Sequence, residues 1–209
     1  MSLVLWLAEA AIDVVRGLGY WGVLALMALE SALVPVPSEV VMPFAGVLVA
    51  RGDMDFVTAV ASGTLGNFLG SLALYYIGAT WGRGAALRLA SMLPRGEEHL
   101  LWAEDLFRRR GALIVLAGRM LPAVRTVISL PAGVARMPLR PFAVCTLVGS
   151  VPWNAALVYA GVLLGENWHV LREYSPYVDL AALAVGLVAL AYLLKAGSAR
   201  SPGSPRRAS

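Results

Sequence analysis

Charge is what this 209-residue chain has least of. Asp, Glu, Lys and Arg make up 14% of it and hydrophobic residues 59%, where soluble domains hold about 25% and 45–50%. That excludes a water-soluble globular domain and makes the chain an integral membrane protein, of a length that suits one compact membrane domain. Cysteine is nearly absent. Cys145 stands alone, so there is no intrachain disulfide and no cysteine-based metal site. Histidine is scarce too: His99 and His169 lie in polar connectors and make no ligand cluster. No nucleophile–base pair, Gly-rich phosphate loop or metal-ligand motif is visible, so neither an enzyme nor a cofactor is expected. The N-terminus lacks a basic n-region and a small-residue cleavage pattern, so no signal peptide is expected. The net charge of +4 is carried by arginine. In a membrane protein that excess speaks to topology and anionic head groups, not to nucleic acid.

The few charges that remain stand out. Residues 30–46, ESALVPVPSEVVMPFAG, hold Glu30 and Glu39 between charge-free flanks, together with Pro35, Pro37 and Pro43. Proline removes a backbone donor and clashes with the preceding turn, so no straight helix is expected through here. An acid at mid-bilayer costs roughly 2.5–3.5 kcal/mol unless it faces protein or water. A broken helix with buried acids is a local signature of a transport or lipid-handling site. Residues 111–135 repeat the pattern with the opposite sign: two short apolar arms about a proline break, carrying Arg119 and Arg125.

The chain divides around these two stretches. Residues 1–19 place Glu9, Asp13 and Arg16 as one charged stripe on an apolar helix, which suits an interfacial or bundle-packed amphipathic helix. A membrane domain is expected over 20–165. Its first repeat covers about 20–82, its amphipathic connector 83–110, and its second repeat 111–165. The arms of 17–50 are each shorter than the roughly 20 residues needed to cross, so a re-entrant hairpin fits better than a span. Residues 56–82 and 141–165 carry no charge and are long enough to cross; the first is rich in Gly63, Gly66, Gly70 and Ser71, which permits close helix approach. In the connector, Glu97 and Glu98 open a helix and Arg108–Arg110 close it, with Gly111 as the expected stop. A C-terminal transmembrane helix is expected over 176–195 and a disordered basic tail over 196–209.

Charge counting favours re-entry of 111–135. The connector, residues 136–140 and the tail then share a side with twelve Lys and Arg, against two opposite, which places that side and the C-terminus in the cytoplasm. Crossing would leave seven against six. The halves also match: LVPVPSEVVMPFAG (33–46) aligns with MLPAVRTVISLPAG (120–133), and YYIGATWG (75–82) with VYAGVLLG (158–165). An odd number of crossings between them makes the repeat inverted, as in many secondary transporters. The expected fold is thus all-α: an inverted repeat of re-entrant hairpin plus transmembrane helix, with amphipathic helices.

One hairpin brings acids and the other brings arginines. The planar guanidinium suits phosphate or carboxylate and stays charged. Arg119, Arg125, Glu30 and Glu39 are therefore the primary candidates for substrate binding, with a lipid phosphate as the anionic partner. The acids either carry protons or neutralise the arginines when no substrate is present. Buried Glu–Arg pairs that only hold the hairpins together are the structural alternative. Asn67, Tyr76, Trp153 and Asn154 are secondary candidates; Tyr and Trp near span ends favour an interface-anchor role, and the asparagines hydrogen bonds between helices.

ESALVPVPSE with PFAG, YYIGATWG, FRRRG, GRMLPAVRT and PAGVARM together resemble the DedA family, also described as the SNARE-associated or VTT domain, over roughly residues 20–165. The resemblance implies opposed re-entrant hairpins and lipid translocation, with the family's acids at Glu30 and Glu39 and its arginines at Arg119 and Arg125. The expected function is a flippase or transporter for undecaprenyl phosphate or a phospholipid in the bacterial inner membrane, with protons as a candidate coupling ion. The Gly-rich span permits a homodimer. The alternative is a proton-coupled ion or small-solute transporter acting in membrane-potential homeostasis, in which Glu30 and Glu39 are the primary site.

Overall fold

The computed structural model describes residues 3–91 and 96–165, and every regular element among them is helical. Helix α1 (Leu3–Leu18) buries Ala8, Ala11, Ile12 and Val15, spaced to share one face, while Glu9, Asp13 and Arg16 face outward. Its buried face packs on the first hairpin, formed by α2 (Tyr20–Ser31) and α3 (Ser38–Ala50). The break between them is built locally. Val34 N–H donates back to the Leu29 carbonyl and Leu33 N–H to that of Glu30, closing α2 with Leu33 at φ 68°. That left-handed turn costs a non-glycine residue roughly 1–2 kcal/mol. Pro35 and Pro37 then keep the chain extended until Ser38. Pro43 does not break the helix as its composition suggested: it lies inside α3. Its ring removes only one bond of the ladder there, and its own carbonyl is used in packing against α9.

Helix α4 (Phe56–Ile77) starts at Asp55, whose carboxylate accepts from the Thr58 N–H and hydroxyl, each at 2.8 Å. The helix does not end where its uncharged run ends. A π-helical turn (Gly78–Gly82) carries it on into α5 (Arg83–Ser91). Arg83 turns to Glu104 of α6 (Gly96–Arg119), with Nε 3.0 Å from the carboxylate. The connector helix ends where Gly111 was expected to stop it: Arg110 leaves helical geometry (φ −131°, ψ 15°), and a second helical segment runs on from the kink to Arg119. Gly111 is also a packing position, where a Cβ would meet the Met137 sulfur at 2.9 Å. The chain breaks again at Met120–Leu121, followed by α7 (Pro122–Val127), α8 (Ser129–Val134) and the long α9 (Leu139–Leu164). Among the described residues, two helices are long and apolar enough to cross a membrane, Phe56–Arg88 and Leu139–Leu164. Their outward faces carry exposed Leu65, Leu69, Val144, Val148 and Val151. The span expected over 176–195 and the tail expected over 196–209 lie outside the described residues.

The packing exchanges partners between the halves. Helix α2 lies on α4 and α6 on α9, but α3 lies on α9 while α8 lies on α4 and its π-helical turn. Both exchanged crossings rest on glycine. A Cβ on Gly46 would fall 2.1 Å from the Val158 carbonyl oxygen, and one on Gly161 2.0 Å from that of Pro43. On the other side, a Cβ on Gly133 would fall 2.1 Å from the Tyr75 carbonyl oxygen and one on Gly78 2.4 Å from that of Leu130. In lipid, helices gain little from apolar burial, so this backbone-to-backbone approach is what holds them. Tyr75, near the end of the first span, is buried and donates its hydroxyl to the Met137 carbonyl.

Candidate functional site

The breaks of the two hairpins bring polar side chains into the apolar core. Arg125, one turn into α7, forms an ion pair with Glu30 at the end of α2 and donates to the Ser38 hydroxyl at the start of α3. Arg125 is 4% exposed and Glu30 7%. The second oxygen of Glu30 accepts from Asn67 at 3.1 Å, and the same amide nitrogen donates to the Ser31 hydroxyl at 2.9 Å. Asn154 of α9 in turn donates to the Asn67 oxygen at 2.9 Å and to Thr64 at 3.1 Å. Asn67 and Asn154 thus join α2, α4 and α9, as expected of polar groups between membrane helices.

Arg119, at the end of α6, is handled differently. It is 2% exposed, and its guanidinium donates to the hydroxyls of Ser71, Ser129 (2.9 Å) and Thr146 (3.5 Å). No carboxylate lies within ion-pair distance of Arg119 among the described residues. Glu39 does not supply one: it sits half-buried in the first turn of α3, and no ion pair joins it to either arginine. Two buried guanidinium groups therefore share one fully buried carboxylate. A buried cation without an opposite charge is expensive, so this arrangement favours an anion. Each arginine also keeps a buried Nε–H without a partner.

The secondary candidates separate. Trp153, half-buried on α9, lies with its ring 5.2 Å from the Arg125 guanidinium carbon. Tyr76 does not join the site: it is exposed on α4, with its ring edge-on to Tyr75. Sequence reasoning missed the hydroxyls Ser38, Ser71, Ser129 and Thr146. A signal for two of them was available. Thr64, Asn67 and Ser71 on α4, and Thr146, Ser150 and Asn154 on α9, recur at helical spacing and are all buried, forming one polar stripe on each span.

A helical membrane protein with a buried, cation-rich site between two broken hairpins is the class that these features define. The chain belongs to the VTT-domain family: residues 36–163 match the VTT domain. It is 36% identical over 183 residues to the uncharacterized membrane protein YkoX of Bacillus subtilis (strain 168), covering 86% of this chain and 81% of that one. It is 32% identical over 182 residues to undecaprenyl phosphate transporter A of the same organism, covering 85% and 89%. A protein named alkaline phosphatase-like in Lactococcus lactis subsp. cremoris is 32% identical over 192 residues, covering 89% and 90%. No solved structure matches the chain.

Proposed function

We propose that this protein is a flippase that moves a phosphate-bearing lipid, undecaprenyl phosphate or a phospholipid, across the bacterial inner membrane. The observation that carries the reading is Arg119: a buried guanidinium held only by hydroxyls, next to a second arginine whose single carboxylate is already shared with Asn67. Hydroxyls orient the cation without neutralising it, which leaves the charge for a ligand phosphate. The likeness to undecaprenyl phosphate transporter A of Bacillus subtilis supports the same substrate class. In this reading the two hairpins are re-entrant from opposite sides, and the exchanged glycine crossings of matched segments support an inverted repeat. The phosphate competes with Glu30 for Arg125, and Glu30 takes up a proton when it is displaced. Glu39, at the mouth of the same break, gates that exchange.

The test is lipid translocation in proteoliposomes, with undecaprenyl phosphate and phosphatidylglycerol as alternative cargo and with or without an imposed pH gradient. Arg119→Ala should abolish translocation while the protein remains folded. Wild-type rates in that variant would refute the site. Solute or proton flux without lipid movement would favour an ion transporter, and release of free phosphate would favour a hydrolase.

A further inference from the structure

Beside the two arginines lies a cavity of about 150 Å³, lined by Met120, Gly149, Pro152, Trp153 and Ala156. Neither arginine lines it, but two of its wall residues contact them. Gly149 lies against the stem of Arg119, where a Cβ would meet the Arg119 Cβ at 2.8 Å, and Trp153 spreads its ring toward Arg125. Its volume is below the roughly 300–1,000 Å³ of sites that enclose a whole drug-sized ligand, so it holds one narrow segment of a molecule.

Trp153 has a feature that neither an interface anchor nor a packing residue explains. Its indole Nε1 is buried and has no hydrogen-bond partner. Buried tryptophans usually find one, and anchors keep theirs in the wet head-group layer. Three of the buried side-chain atoms without a partner among the described residues are N–H donors, the Nε of Arg119, the Nε of Arg125 and the Nε1 of Trp153, and the Trp153 ring lies against the Arg125 guanidinium. Among the described residues donors outnumber acceptors three to one in this set, the one acceptor being Asn154 Oδ1, so what completes the donors is an acceptor-rich group. We propose that Trp153 is a ligand-contacting residue. Its indole N–H donates to the phosphate oxygens that the two arginines hold, and the cavity takes the first carbons of the chain attached to that phosphate. Pro152 supports this placement, because it removes one rung of the α9 ladder next to Trp153 and leaves the helix locally adaptable. The inference rests on the phosphate reading of the site and adds a recognition group from α9, the span that also carries Asn154.

Titration of the full chain in nanodiscs with undecaprenyl phosphate, phosphatidylglycerol and inorganic phosphate tests it. Trp153→Phe keeps the aromatic face over Arg125 and removes only the N–H; Trp153→Ala removes both. Losing one hydrogen bond to a charged group should weaken lipid binding roughly tenfold in Trp153→Phe, with an unchanged thermal melt. Comparable weakening for inorganic phosphate supports contact with the phosphate oxygens themselves. Weakening for the lipids alone would overturn that contact in favour of chain packing. Wild-type affinity in Trp153→Phe, with binding lost in Arg119→Ala, refutes the role of Trp153 and leaves the site standing. Binding that survives Arg119→Ala refutes the site and the role of Trp153 with it.

Discussion

Replacing Glu30 should be among the most damaging single changes in this protein, and the structure sets the size of the effect. Glu30 accepts from Arg125 through one oxygen and from Asn67 through the other, and the side chains of the pair are 9% and 5% exposed. Glu30→Ala would leave two buried arginines with no fully buried carboxylate between them. Breaking a buried ion pair by removing one partner costs about 3–5 kcal/mol. Glu30→Gln keeps the shape but sets an amide N–H₂ against one of two donors, the Arg125 guanidinium or the Asn67 amide, so it recovers little. Arg125→Gln exposes the opposite defect, a buried carboxylate left with neutral partners only, Asn67 and Ser38. The double variant Glu30→Gln, Arg125→Gln removes both charges together, so its cost should fall short of the summed singles by about 2 kcal/mol or more. Reversible unfolding of the purified protein in mixed micelles measures all three. Additive costs, or single losses below about 1 kcal/mol, would refute the view that this pair is dry and closes the gap between the hairpins.

Gly161→Ala should destabilise by about 1–3 kcal/mol or more, because its Cβ would fall 2.0 Å from a backbone oxygen that no rotamer change can move. Gly17→Ala, with nothing within 4 Å of the new methyl, should be neutral or mildly stabilising in the same assay. Asp55 is exposed, and the Thr58 N–H and hydroxyl hold its carboxyl below the usual aspartate value. Its contribution to stability is therefore present above the unfolded-state value near about 4 and is lost as pH falls through the lower folded value. Asp55→Asn should flatten that acid limb in melting temperature against pH; an unchanged limb would assign it to other carboxylates.

Much of the architecture was readable because its causes are local. Proline pairs at 35 and 37 stop a helix wherever they stand, and charge-free runs of sufficient length must cross or be buried. The buried Arg119, Arg125 and Glu30 were conspicuous for the same reason, since a charge in an apolar run has few places to go. What escaped depends on distant partners. That Glu30 meets Arg125 and not Arg119 is decided by the placement of helices 95 residues apart in sequence. Hydroxyls are cheap in any helix, so the cradle of Ser71, Ser129 and Thr146 did not announce itself. Gly111 was legible as a helix stop, and the kink at Arg110 falls beside it, but its second duty, room for Met137, is invisible without the fold. Pro43 misled, a breaker by composition that the packing of α3 on α9 tolerates.

The exchange of partners between the halves has a consequence for synthesis. Gly46 of the first hairpin seats on Val158, roughly 110 residues later. At about 5–20 residues per second, the nascent chain must carry α3 for roughly 6–22 s before its permanent neighbour has even been translated. During that interval the glycine face of α3 is an open socket in the bilayer. A ribosome stalled before α9, or a chain truncated there, would leave a half-protein whose small-residue surface is free to capture the wrong helix. The second half is thus the part that ends the vulnerability of the first.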